Sequence, residues 1–376
     1  MQPYVFLFLF GLSWVLQAAV LPEDRADALY HSYDGGGVEV SGPSILVRKK
    51  FGDSVSASVN HYVDNVSSAS IDVLTSASRY TEERNENSLS VDILHNKSTI
   101  AVSLTSSKES DFDASTFSLG FTQDMFGDLT TVSMGFSRGD NEVGRNGDAD
   151  FDEQADSRSY RLGVSQVFTK DLIVSFSLES ITDEGYLNNP YRSVRYLDTS
   201  TPAPGDFVFQ SEVYPRTRTS TAFSIRARYF LERHRALSGG IRVFNDSWGI
   251  AATTLEAGYT WPYEEKWIFE ASLRFYGQQK ADFYSDLFPF ENAQNFLARD
   301  KELSTFRSIT LGGGFSYELN DSGWTWVERG SLNFYLDHII FDYDDFRDLT
   351  VSASAGSEPL YSFNANVIRA FASFWF

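Results

Sequence analysis

Three aspartates at every second position, Asp148, Asp150 and Asp152, stand in the most acidic stretch of the chain, 140–156, where Arg145 is the one basic residue. Alternate carboxylates that converge on one hard cation are the spacing of a calcium loop. The pattern departs from such a loop at Glu153, where a glycine is needed, and at Ser159, where the closing glutamate belongs. The expectation is a solvated acidic loop that at most binds a divalent cation loosely, with no firm metal site and no cofactor. There is no Cys, which excludes disulfides, thiolate nucleophiles and covalently attached haem. The five histidines, His31, His61, His95, His234 and His338, form no compact constellation and none sits in a Gly-x-Ser-x-Gly setting. Asp337 and His338 are chain neighbours, which in a strand face opposite sides and cannot cooperate directly. No catalytic residue is expected. A net charge of −20 argues against a nucleic-acid partner.

Arginines give a second pattern. Arg226, Arg228, Arg242 and Arg274 each stand between apolar residues, as in Ile225-Arg226-Ala227-Arg228-Tyr229 and Leu273-Arg274-Phe275. In a strand this sends the guanidinium to one face and the apolar residues to the other. The same alternation fills nearly the whole chain. Leu89, Val91 and Ile93 alternate before Asn96-Lys97, and Ile100, Val102 and Leu104 after it. Further hairpins turn at Met125-Phe126-Gly127-Asp128, Thr169-Lys170-Asp171, Glu232-Arg233-His234, Pro262-Tyr263-Glu264-Glu265 and Asn320-Asp321-Ser322-Gly323. No segment carries a convincing helical period. The strands run to about 10 residues or more, the length a tilted membrane strand needs, and aromatics such as Trp261, Tyr263 and Trp267 gather at strand ends like an interfacial girdle.

The last strand, Asn366 to Phe376, puts Ile368, Ala370, Ala372, Phe374 and Phe376 on one face and Arg369 and Ser373 on the other. It resembles the closing strand of an outer-membrane barrel. The aromatic ending, Phe374 and Phe376, resembles the signal read by barrel-assembly machinery. The fold class is therefore all-β: a single closed antiparallel transmembrane β-barrel of residues 20–376 in the outer membrane of a Gram-negative bacterium, with lipid and lipopolysaccharide around it. Residues 5–16 are an apolar run followed by Gln17-Ala18-Ala19, and 1–19 reads as a cleaved signal peptide, although Met1 to Tyr4 lack a positive charge. Counting backward from Phe376 gives about 16 strands if Ala26 to Tyr33 supplies the first. The alternative is 14, with the first fifty residues plugging the barrel or lying below it. Segments 64–87, 138–157, 183–216, 277–301 and 342–361 are the expected long extracellular loops, and 183–216, with Pro190, Pro202, Pro204 and Pro215, is the expected constriction.

Two stretches stand apart: Asp64-Asn65-Val66-Ser67-Ser68-Ala69-Ser70-Ile71-Asp72-Val73 and Asn245-Asp246-Ser247-Trp248-Gly249-Ile250. With Tyr30 to Gly37 and Arg228-Tyr229-Phe230-Leu231, they resemble a family of predicted bacterial outer-membrane barrels of unknown function. The resemblance implies neighbours that are small lipoproteins, thioredoxin-like proteins and flavin-transfer enzymes, hence a periplasmic lipoprotein or redox partner. From the residues themselves, Asp64 and Asp72 are expected to cap turns and Trp248 to anchor at the outer interface. A shared ligand or partner surface of Asp64, Asp72, Asp246 and Trp248 is the other reading.

A sixteen-stranded barrel leaves a polar lumen unless loops fold into it. The functional expectation is a passive channel or transport component for a small polar solute, without enzymatic activity. A barrel scaffold docking a periplasmic redox or lipoprotein partner is the alternative. An outer-membrane hydrolase is the third, and a lumenal Ser or carboxylate within about 3 Å of a His would revive it.

Overall fold

The computed structural model describes residues 20–68, 80–198, 207–319 and 327–376. The expected signal peptide and the turn at 320–323 lie outside them. Eighteen strands are present among the described residues: β1 (Arg25–Gly35), β2 (Val38–Phe51), β3 (Val55–Ser68), β4 (Tyr80–His95), β5 (Ser98–Lys108), β6 (Phe112–Met125), β7 (Thr130–Arg145), β8 (Asp148–Thr169), β9 (Leu172–Gly185), β10 (Ser193–Leu197), β11 (Phe207–Ser211), β12 (Thr217–Phe230), β13 (Ala236–Asp246), β14 (Ala251–Tyr263), β15 (Trp267–Gln278), β16 (Phe306–Leu319), β17 (Arg329–Arg347) and β18 (Leu360–Trp375). All but β10 and β11 form one closed antiparallel barrel of 16 strands.

Closure is made by the N-terminal strand. β1 pairs with β18 from Arg25 opposite Trp375 to Gly35 opposite Ala365, and with β2 on its other side. Residues 25–51 are therefore wall, and neither a plug nor a segment below the barrel. Closing the sheet leaves no unpaired edge, the condition for crossing a bilayer with strands.

Alternation assigns the two faces. Ile45, Val47, Leu89, Leu104, Leu119, Leu162, Ile241, Leu255, Leu273, Leu311 and Leu336 are exposed large apolar residues that face outward as a lipid-facing belt. Their chain neighbours face the lumen. In β18, Ile368 is exposed on this belt while Ser373 is buried on the opposite face, as the sequence pattern required. Trp261, Tyr263, Trp267 and Phe269 pack ring against ring, with Trp261 and Tyr263 centroids 5.5 Å apart, at the end of the barrel where the turns are short. Short turns mark the periplasmic end and long loops the outer end in barrels of this kind.

Several expected loops are strand instead. β7 and β8 run to the turn Asn146-Gly147, so 138–157 is a hairpin; β8 alone has 22 residues, about twice what a bilayer needs. β3 reaches Ser68 and β4 starts at Tyr80, so 64–68 and 80–87 are strand, and 342–361 shrinks to 348–359. Charge and polarity mark solvent exposure, and a strand projecting beyond the membrane is as solvated as a loop. The pairing partner, a tertiary contact, decides between them.

Candidate functional site: a two-sided lumen under a loop roof

The lumen wall has two unlike arcs. Across β3 to β8, Ser58, Ser90, Ser103, Ser118, Ser137 and Ser159 are successive register partners, so one row of hydroxyls crosses six strands. A neighbouring row brings Gly120 opposite Gly135. Small side chains here leave space and offer hydrogen bonds without charge.

From β8 to β15 the wall carries long charged side chains. Arg161 Nε lies 2.6 Å from Glu179 Oε1, and Arg242 reaches the same carboxylate at 3.3 Å. Arg226 and Arg274 flank Glu256 at 3.9 and 3.6 Å. The register row Arg226, Gly240, Glu256, Arg274 sets these groups side by side. Arg228 lies exposed two residues along β12, with no carboxylate paired to it among the described residues. The four arginines singled out from sequence thus do share the lumen face.

Beyond this arc the outer mouth is roofed. Segment 279–305 packs Phe283, Tyr284, Ala298 and Leu303 against Trp248 and Ile250 and against the inward residues Phe306, Ile339, Phe341 and Tyr343. Phe341 and Phe363 stack at 4.6 Å, and Trp248 meets Phe283 edge-on at 5.2 Å. Burial of this many rings makes the roof part of the barrel core. Within the expected constriction, 183–216, β10 pairs with β11, and 279–305 lies with this segment: Val213 N and O both bond Leu297, at 2.9 and 2.7 Å.

One arginine ties the roof together. Arg195 is fully buried, its guanidinium paired with the carboxylates of Asp286 and Glu358 and donating from Nε to the Asp286 carbonyl at 2.9 Å. Arg299 Nη2 lies 3.0 Å from the same Asp286 carboxylate, donates to the Arg347 carbonyl at 2.9 Å and sits 4.4 Å over the Phe346 ring. Segments 186–216, 279–305 and 348–359 therefore meet at a buried charge network. Such a network is costly to break from one side, because the remaining charge stays buried and unpaired. A second buried group adjoins it: Glu212 accepts from the Tyr214 hydroxyl at 2.6 Å and from the Arg299 amide at 2.7 Å. Burial pushes the Glu212 carboxyl up to about 7, Asp300 adds to the rise and Arg192 opposes it.

The remaining sequence candidates fall as follows. Asp246 caps the β13–β14 turn, its Oδ1 accepting from the Trp248 and Ile250 amides at 2.9 Å each while Oδ2 takes Arg218. Trp248 does not anchor at the outer interface. It is 5% exposed, donates from Nε1 to the Thr217 carbonyl and packs under the roof, because Gly249 at φ +90° turns the chain inward against Asp282. Asp64 caps no turn: it lies within β3, buried, 2.7 Å from His31 Nε2. Asp72 lies outside the described residues, so no joint surface of the four can be drawn. Asp148 pairs with Arg145 across the β7–β8 turn, and among the described residues no three acidic or histidine side chains converge as metal ligands. Phe376 lies beneath the Lys49 ammonium, 4.9 Å from its ring centre, and Phe374 stands opposite Ala26 and Gly330.

The structure does bring one histidine to a carboxylate. His31 stacks on Tyr62 at 4.9 Å between centroids, and its Nε2 lies 3.0 Å from the Tyr62 hydroxyl as well as 2.7 Å from Asp64. This meets the distance set for a hydrolase, but among the described residues no serine hydroxyl bonds His31, and its Nδ1 is buried without a partner. The geometry is that of a buried wall contact. Gly312-Gly313-Gly314 in β16 makes room: side chains at 312 and 314 would run into Asp337 and Tyr335.

No curated protein sequence matches the chain. Among solved structures it is similar to the CymD monoaromatic hydrocarbon channel (TM-score 0.45, 9% identity, 95% of this chain and 89% of that one). It is also similar to the siderophore receptor PirA from Pseudomonas aeruginosa (TM-score 0.45, 10% identity, 94% and 63%). A third likeness is to OmpT, an outer membrane protein of Vibrio cholerae (TM-score 0.44, 9% identity, 94% and 99%). The barrel, its closed edge and its apolar belt make the chain an outer-membrane protein of the Gram-negative type. A family model matches residues 148–335, from the first residue of β8 into β17 and so across the charged arc and most of the roof, and the chain belongs to that family, described as protein of unknown function (DUF3570).

Proposed function

We propose that this protein is an outer-membrane channel, or the barrel component of a transport route, for a small polar solute, with passage set by the loop roof. The carrying observation is the water-facing Arg226–Glu256–Arg274 group in mid-lumen, whose three side chains are 59%, 41% and 44% exposed. A barrel serving only as a scaffold has no reason to keep such groups solvated in the middle of the membrane, where charge is expensive unless water or a solute reaches it. The hydroxyl row opposite supplies uncharged partners for the same solute. The roof packs on the inward residues of β16 to β18 and reaches the outer turns of the other arc through the Tyr191 hydroxyl, which bonds Asp111 and Asn146, so it narrows the route.

Reconstitution of the purified barrel in planar bilayers and in liposomes tests this. The expected result is discrete conductance steps and flux of small polar solutes that increases when the roof is released by Arg195→Ala. No conductance and no flux in either form would overturn the channel reading.

A further inference from the structure

We infer that the solute is a small oxyanion, a carboxylate or phosphate species, and that Arg226, Arg228 and Arg274 are the residues that contact it. The inference rests on the channel reading and names its substrate class.

Most lumenal guanidiniums are satisfied by the wall itself. Arg161 is 2.6 Å from Glu179, Arg369 is 2.7 Å from Asp337, Arg84 is 2.5 Å from Glu86 and Arg218 is 2.6 Å from Asp246. These are charge-assisted hydrogen-bond lengths. Arg226 and Arg274 differ: both lean toward the single carboxylate of Glu256 from beyond that length, at 3.9 and 3.6 Å. Arg228 has no carboxylate paired to it among the described residues. Two guanidiniums thus share one carboxylate and a third stands beside them, an excess of two positive charges over Glu256 on one patch, in a chain whose net charge is −20.

The backbone keeps the patch open. Gly240 lies between Arg226 and Glu256 in the register row, and a Cβ there would stand 3.2 Å from Arg226 Cγ. Glycine leaves the guanidinium free to swing between Glu256 and an incoming anion. A guanidinium matches carboxylate and phosphate with two parallel donors, and Glu256 supplies the exchange partner that lets the anion leave. A low-dielectric wall around a water-filled lumen focuses the field of such a patch, so its sign outweighs that of solvated outer loops.

Two measurements on the full-length barrel test this: the reversal potential in planar bilayers under a potassium chloride gradient, and calorimetric titration of the detergent-solubilised protein with inorganic phosphate. The wild type is expected to prefer chloride over potassium and to bind phosphate. The R226Q/R228Q/R274Q variant should lose phosphate binding and drop in chloride preference by about tenfold or more, the scale on which a charged patch concentrates counter-ions. Glu256→Gln should move both readouts the opposite way, and heat-modifiable migration on gels verifies that each variant is folded. A conducting barrel that prefers potassium, or phosphate binding that is absent in the wild type or unchanged in the triple variant, overturns the inference and leaves the channel standing. Phosphate binding lost in the triple variant without any conductance upholds the anion site and removes the channel.

Discussion

The arc from β3 to β8 and the arc from β12 to β18 are built from the same alternating strands and do opposite things. The first turns mainly serines and glycines inward, with the Arg84–Glu86 pair among them, and its described outer connections, 109–111 and 146–147, are short. The second turns arginine, glutamate, tyrosine and phenylalanine inward and carries 186–216, 279–305 and 348–359. Residue size explains the pairing. Inward rings need partners to bury them, and only a long connection can fold back to supply those partners, whereas a wall of hydroxyls is content in water. The difference teaches that the roof and the large-residue wall form one packed unit, which meets the small-residue wall at its outer turns, through Tyr191 with Asp111 and Asn146.

The comparison breaks most readily at Arg195. Arg195→Ala leaves Glu358 buried without a cation and Asp286 with Arg299 in place of two close guanidiniums, a loss of about 3–5 kcal/mol, and the roof should open while the barrel persists. Cleavage of 186–216 by added protease, with intact heat-modifiable migration, measures this; an uncut roof would show that the three segments hold without the arginine. Phe283→Ala comes next. Removing a ring packed on Trp248 and Tyr214 costs about 3 kcal/mol, and faster hydrogen exchange confined to 279–305 is the expected signature.

Acidity should act on the same side alone. Glu212 has an ordinary value of 4.5 that the folded roof raises to about 7, so the packed segments retain a proton that released segments give up. The roof is therefore firmest in acid, weakens as the pH climbs from about 4.5 to about 7 and changes little above that. Protease resistance of 186–216 should fall over that interval in the wild type and stay level in Glu212→Gln. The smallest effect belongs to the small-residue arc. A methyl at Gly135 meets only Arg161 Cβ at 3.6 Å, an ordinary contact, so Gly135→Ala should leave folding and conductance nearly unchanged. A large loss there would mean that the serine arc is as tightly packed as the other.

Much of this was legible in residue order. The period of two across Ile225-Arg226-Ala227-Arg228-Tyr229 placed those arginines on the lumen face before any neighbour was known, and the C-terminal alternation oriented β18. The count of 16 followed from direction parity and a short N-terminal alternator. Trp248 and Asp64 were misread for one reason: aromatic character and turn-prone residues describe local preference, and both side chains answer to partners far along the chain, Phe283 and His31. In the sequence Arg195 is one of several arginines in a proline-rich segment. Nothing local distinguishes a guanidinium that will be fully buried from one that will be solvated.

By itself, then, the sequence determined which face of each strand meets lipid, because alternation is a covalent property of an extended chain and survives whatever pairs with it. Tertiary structure decided what fills the lumen: that 279–305 folds inward, that Arg195 joins three connections, and that Arg226, Arg228 and Arg274 are left short of carboxylates. Those outcomes depend on contacts between residues tens of positions or more apart, set by strand register and barrel closure, and no local pattern encodes them.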